Sequence, residues 1–187
     1  MPAPACEPVP VRFWGTSFPR EHLLEVYKSE SAFIDGLVEF ASEGLAAGEA
    51  FVMLATAEHR DAVASALRER GHDLDADAFI ALDAEATLAR FMVDGEPDAQ
   101  RFEAVIGAVL ARASAGGRPV RAFGEMVALL WMEGRREATL QVEQLWNLLL
   151  RRHPLSLFCA YPRQDCTREI TEDFAHVCAA HSQLAFT

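Results

Sequence analysis

Residues 50–71 read AFVMLATAEHRDAVASALRERG, and the two halves of this stretch obey different rules. Ala50 to Thr56 is a continuous apolar run up to its last residue. It lacks the alternation that would leave one face wet, so it predicts a strand buried on both faces, the habit of parallel sheets. Thr56 is a good N-cap residue, and the segment 57–71 spaces its apolar residues as a helix and closes on Gly71. A doubly buried strand feeding a capped helix is the first half of a βαβ unit.

The alternation continues on both sides. HLLEVY, 22–27, predicts a strand, and 29–47 predicts a helix capped by Ser29 or Ser31, with Phe33, Ile34, Leu37, Val38 and Phe40 in helical spacing. FIALD, 79–83, predicts a second buried strand of the same kind, followed by a short helix over 84–92 and a loop, VDGEPD, at 93–98. A longer helix over 98–115 stops at Gly116-Gly117. PVRAFG, 119–124, predicts a strand, and 125–133 and 136–152 predict helices separated at Gly134. LSLFCAY, 155–161, predicts a buried strand between Pro154 and Pro162, and 167–182 a final helix begun by Thr167 or Thr171. The expected fold class is α/β: three layers, with a mostly parallel sheet of about five or more strands and helices on both faces.

The 187 residues fit a single domain, expected over 20–187, and residues 1–19, with five of the nine prolines, predict an extended or disordered arm. A net charge of -11 without any basic run argues against a nucleic-acid surface. The longest unbroken apolar run within this alternation, Met126 to Met132, is far short of the roughly 20 residues that span a bilayer. The N-terminus lacks the basic start and apolar block of a signal peptide, so a cytoplasmic location is expected. Cys6, Cys159, Cys166 and Cys178 form no CxxC pair and are expected as reduced thiols, Cys159 buried.

In a parallel sheet, ligands sit outside the carboxyl ends of the strands. Those ends are Tyr27, Thr56, Asp83, Glu125 and Tyr161, all polar or amphipathic beyond apolar strand bodies. The turn after the first strand has no glycine between Tyr27 and Asp35, so the GxxxxGK[ST] phosphate loop is missing and nucleotide hydrolysis is not expected. Asp83 could hold magnesium in a nucleotide site, but without that loop the cap of the next helix is the favoured role. Glu125 has two readings, a helix-start carboxylate and a hydrogen-bond acceptor on a pocket floor. Trp131 and Trp146 read as core residues or pocket walls, and His22 as a structural or ligand-binding histidine. His176 and His181 are five residues apart, roughly 140° around a helix, and would not chelate one ion together. No metal site, cofactor or catalytic residue is expected. The candidate ligand-binding residues are Tyr27, Asp83, Glu125, Trp131, Trp146, Tyr161 and His22.

FVMLATAEHRDAV, ALDAEATLARFMVDGEPDAQRF, VRAFGEMVALLWMEG, VEQLWNLL and LSLFCAYP together resemble the MEDS domain, a sensory domain of methanogen and methylotroph regulators. The resemblance covers about residues 20–165. The motif residues include His22, Tyr27, His59, Asp83, Phe123, Glu125, Trp131, Trp146, Asn147, Cys159 and Tyr161. It implies a RecA- or KaiC-like fold without its phosphate loop, and a non-enzymatic sensor of a small organic ligand. It also implies a partner, a histidine kinase or other regulatory protein, since no kinase module or helix-turn-helix is readable here. The alternative is an interaction module without a small ligand, acting as a homodimer or on a partner chain.

Overall fold

The computed structural model describes residues 21–74, 77–163 and 172–187. The expected N-terminal arm, with Cys6 and Trp14, lies outside them, as do Cys166 and both expected caps of the last helix. The elements run β1 (His22–Tyr27), α1 (Glu30–Ala46), β2 (Ala50–Ala55), α2 (Ala57–Glu69), β3 (Phe79–Asp83), α3 (Ala84–Ala89), β4 (Met92–Val93), β5 (Glu96–Pro97), α4 (Ala99–Phe102), a π-helical turn (Glu103–Gly107), α5 (Ala108–Ala113), a 3-10 turn (Ala115–Gly117), β6 (Val120–Gly124), α6 (Met126–Met132), α7 (Arg136–Arg152), β7 (Leu155–Pro162), α8 (Glu172–Ala179) and β8 (Gln183–Phe186).

Six strands form one sheet in the order β3-β2-β6-β7-β1-β8, and every pairing in it is parallel. The chain first moves from β1 past two positions to β2 and outward to β3. It then reverses, crossing β2 to β6, β7 and finally β8. With right-handed crossovers the direction of travel decides the face that each connection covers. The helices after β1 and β2 accordingly share one face, and those after β3, β6 and β7 the other. The core divides in the same way. Phe33, Leu37, Val63 and Leu67 pack with Phe51, Phe123 and Phe158 on the α1–α2 face. Leu88, Phe102, Val127, Trp146 and Val177 pack with Leu24, Val52, Cys159 and Tyr161 on the α3–α8 face. All six β2 residues are buried, and each fully buried large apolar side chain contributes about 1.5–3 kcal/mol.

Three expectations change. The loop expected at 93–98 contains a small antiparallel hairpin, Met92 against Pro97 and Val93 against Glu96. The turn that makes this possible places Asp94 and Gly95 at φ 50° and 90°. The last helix ends at Ala179, short of residue 182, and the chain then adds β8 beside β1. The helix expected over 98–115 is interrupted by the π-helical turn.

One cation is buried in the sheet. Arg121 of β6 donates from Nε to Glu49 Oε2 at 2.6 Å and from Nη1 to the Phe40 carbonyl at 3.0 Å. Gly44 leaves it room: a Cβ there would stand 2.6 Å from Arg121 Cδ.

Candidate functional site

The sheet has two places where neighbouring strands send their connections to opposite faces: between β2 and β6, and between β7 and β1. Outside the carboxyl ends of such strands a crevice opens, and ligands bind there in open α/β sheets. The candidate residues fall at both places, but not all of them fall at the crevice.

At the β2/β6 point, Glu125 follows β6 and Thr56 follows β2. Glu125 occupies the N-cap position of α6, yet its side chain makes no bond to that helix, which corrects the capping role that its position suggested. The carboxylate turns instead to the neighbouring helix. It accepts from the Thr56 N–H at 2.8 Å and from the Thr56 hydroxyl at 3.3 Å. It thereby satisfies the N–H of the N-cap residue of α2, while the Thr56 side chain caps no N–H of that helix. His59, in the first turn of α2, brings Nδ1 to 2.9 Å from Glu125 Oε1 and Nε2 to 3.5 Å from Glu30 Oε1. The approach to Glu125 is an ion pair rather than an aligned hydrogen bond. The Glu125 carboxylate raises the pKa of His59 above its ordinary value, against the opposing pull of burial. Tyr27 stacks on Phe33 with ring centroids 4.5 Å apart, and Phe33 meets the His59 ring edge-on at 5.3 Å. Burial first, then the charges of Glu125, Glu30 and Glu25, push the Tyr27 hydroxyl up to about 12. Tyr27, His59, Thr56 and Glu125 thus form one amphipathic rim on the α1–α2 face.

Asp83 lies one strand further out. It caps α3 by accepting from the Ala86 N–H at 2.8 Å and pairs with Arg60 at 2.7 Å, so the structure gives it the capping role.

The remaining candidates gather on the opposite face. Residues 22, 24 and 26 of β1 and 157, 159 and 161 of β7 point the same way, because strand side chains alternate and the register pairs His22 with Leu157. His22 stands at the amino end of β1, away from the carboxyl edge where the other strand-end candidates lie. Cys159 is mid-strand and Tyr161 near the carboxyl end of β7. Glu143 of α7, fully buried, reaches across all three. Tyr161 donates from its hydroxyl to Glu143 Oε1 at 2.5 Å, Cys159 Sγ donates to Oε2 at 3.7 Å, and His22 Nε2 is 3.3 Å from Oε2. His181, in the turn between α8 and β8, brings Nε2 to 3.5 Å from Glu143 Oε1. Burial alone would raise the Glu143 pKa, but the two histidines and the Tyr161 hydroxyl hold it down at about 2. Trp131 packs edge-on against Tyr161 and Phe174, beneath the guanidinium of Arg136. Trp146 is wholly buried between Phe102 and Gly124 and reads as core, not as a pocket wall.

The glutamate at 143 was missed in the sequence, and its signal was present. Thr139, Glu143, Trp146 and Leu150 share the buried stripe of α7, so a carboxylate sits in phase with apolar residues. His59 had a weaker signal, a polar residue in the first turn of the helix after β2. No described helix is long and apolar enough to cross a membrane. Two open clefts, one of about 350 Å³ beside Gly95 and Arg135 and one of about 330 Å³ beside Phe102 and Leu148, contain none of the candidate residues.

Comparison with curated proteins gives no match. Comparison with protein families does: the family described as MEthanogen/methylotroph, DcmR Sensory domain matches residues 21–181, and the all-parallel six-stranded sheet is consistent with the RecA-like architecture expected of it. The chain belongs to the MEDS sensory-domain family.

Proposed function

We propose that this protein is a non-enzymatic sensory domain whose small organic ligand enters at the β2/β6 crevice and meets the rim of Tyr27, Thr56, His59 and Glu125. The observation that carries the reading is the Glu125 carboxylate. It joins the ends of two adjacent strands by bonding Thr56 and facing His59 at the point where those strands send their connections to opposite faces of the sheet. A ligand with one polar group and a short apolar body would compete for Thr56 or His59 and rest on Tyr27 and Phe33. Rearrangement of that joint would move the start of α2, the surface through which a kinase or transcriptional regulator would read the change.

Thermal unfolding of the full chain against a panel of small alcohols, ketones, amines and carboxylates tests this. A ligand at 100 times its Kd stabilises by about 2.7 kcal/mol. The expected result is a saturable shift in the wild type that Glu125→Gln abolishes. A flat response across the panel, or a shift that Glu125→Gln leaves intact, counts against the reading.

A further inference from the structure

From the geometry of the opposite face we infer a metal site: His22, Glu143, Cys159 and His181 form a closed, four-ligand centre for a zinc-class divalent transition metal. Their ligand atoms all lie within 4.8 Å of one another. His22 Nε2 is 3.4 Å from Cys159 Sγ and 3.3 Å from Glu143 Oε2, Cys159 Sγ is 3.7 Å from Glu143 Oε2, and His181 Nε2 is 3.5 Å from Glu143 Oε1. Bonds of about 2.0–2.3 Å to a tetrahedral zinc ion require ligand atoms about 3.3–3.8 Å apart. The three distances among His22 Nε2, Cys159 Sγ and Glu143 Oε2 match three of the six edges of that tetrahedron, and His181 Nε2 stands within 4.8 Å of the other ligand atoms.

The tautomers point the same way. His22 Nδ1 faces two acceptors, the Asn147 side-chain oxygen at 3.1 Å and the Ala180 carbonyl at 3.2 Å. His181 Nδ1 faces the Val177 carbonyl at 2.7 Å. A carbonyl only accepts, so both rings carry a proton on Nδ1, which leaves each Nε2 as the nitrogen that would bind an ion. His181 Nε2 is buried and makes no hydrogen bond. Histidines that donate one nitrogen to a carbonyl and aim the other at a shared point are the arrangement of metal ligands. The Tyr161 hydroxyl orients the Glu143 carboxylate in the same manner.

Charge completes the case. A carboxylate and a thiolate neutralise a dication, and the site is dry: His22 is 2% exposed, Glu143 and Cys159 0%. Without a cation, burial first and then the Glu143 carboxylate push the Cys159 thiol up, towards its protonated form. Binding breaks the S–H bond, forms the S–metal bond and releases one proton to solvent. Imidazole and thiolate together select zinc or cobalt over magnesium and calcium. All four positions are filled by protein, which marks a structural centre rather than a catalytic one.

Titration of the chelator-stripped, folded chain with Co2+ alone and Zn2+ alone tests the site. The expected result is one ion per chain, with the intense visible absorption of four-coordinate cobalt and a thiolate-to-cobalt charge-transfer band. Cys159→Ser should abolish the charge-transfer band, and Cys178→Ser should keep it. Asn147→Ala, which frees the His22 ring, should weaken binding about 10–100-fold. If Cys159→Ser does not fold, the wild-type spectrum decides: no uptake, or uptake without a thiolate band, overturns the inference. Binding of unchanged strength in His181→Gln also overturns it.

Discussion

The two faces of this sheet handle carboxylates in opposite ways. On the α1–α2 face, Glu125 is held by a backbone N–H, a hydroxyl and one histidine at the rim of the sheet, with the partly exposed Tyr27 and Glu30 nearby. On the α3–α8 face, Glu143 lies in the dry core, and every group that approaches it is itself buried. Glu125 is itself buried, at 7% exposed, but it borders partly exposed groups with which it can exchange partners. A charge in a core cannot, so its surroundings must be assembled once and kept. The first arrangement suits a site that responds; the second suits a fastening.

This contrast sets the scale of what substitution should do. Glu143→Ala strips one partner from a buried charged network, and such losses cost about 3–5 kcal/mol. Urea unfolding should read that loss, and a cost near that of an ordinary surface change would erase the distinction between the faces. Tyr161→Phe removes a donor to the same carboxylate while keeping the ring against Trp131. Hydrogen bonds to charged groups contribute about 1.5–3 kcal/mol, so this change should be intermediate. Glu125→Gln preserves an acceptor for the Thr56 N–H and loses only the charge facing His59, about 1 kcal/mol.

The pH dependence separates the faces further. The folded-state pKa of His59 is raised by Glu125. Its stabilising share is therefore complete below the unfolded value near 6.5 and disappears as pH rises through the folded value. The stability gap between wild type and Glu125→Gln should shrink above about pH 6.5. A gap that widens with pH in denaturant titrations would mean that His59 is not the partner. Asp83→Ala should give the smallest change of the set, because Asp83 caps a six-residue helix in the open. A larger loss than Glu125→Gln would move the important edge of the sheet to β3.

The sheet itself was legible because doubly buried strands leave unbroken apolar runs. β1 and β3 are copied residue for residue from the expectation, and β2, β6 and β7 differ from it by a residue at one end. β8 was not legible. QLAF is only four residues long and follows a helix directly, so nothing local separates it from a frayed end. The rim was half legible: strand ends mark Tyr27 and Glu125, while the turn of the Glu125 side chain toward α2 depends on packing. The buried cluster was least legible. Its histidines and cysteine meet only through the β1–β7 register and the α8–β8 turn, both long-range in sequence. The expectation that His181 continues a helix placed it on the wrong side of a wheel; the helix ends two residues earlier. Glu143 alone could have been found locally, as an acid on an apolar stripe.

Trp146 acquires a second meaning from this geometry. Its indole is enclosed, its N–H has no hydrogen-bond partner, its ring covers Gly124 beside Glu125, and its helix carries Glu143 one turn away. An indole in so apolar a setting emits at short wavelength and without hydrogen-bonded quenching partners on its nitrogen. The protein therefore contains its own optical gauge, seated between the Glu125 rim and the Glu143 cluster. A change at either should alter the colour or lifetime of the same fluorophore.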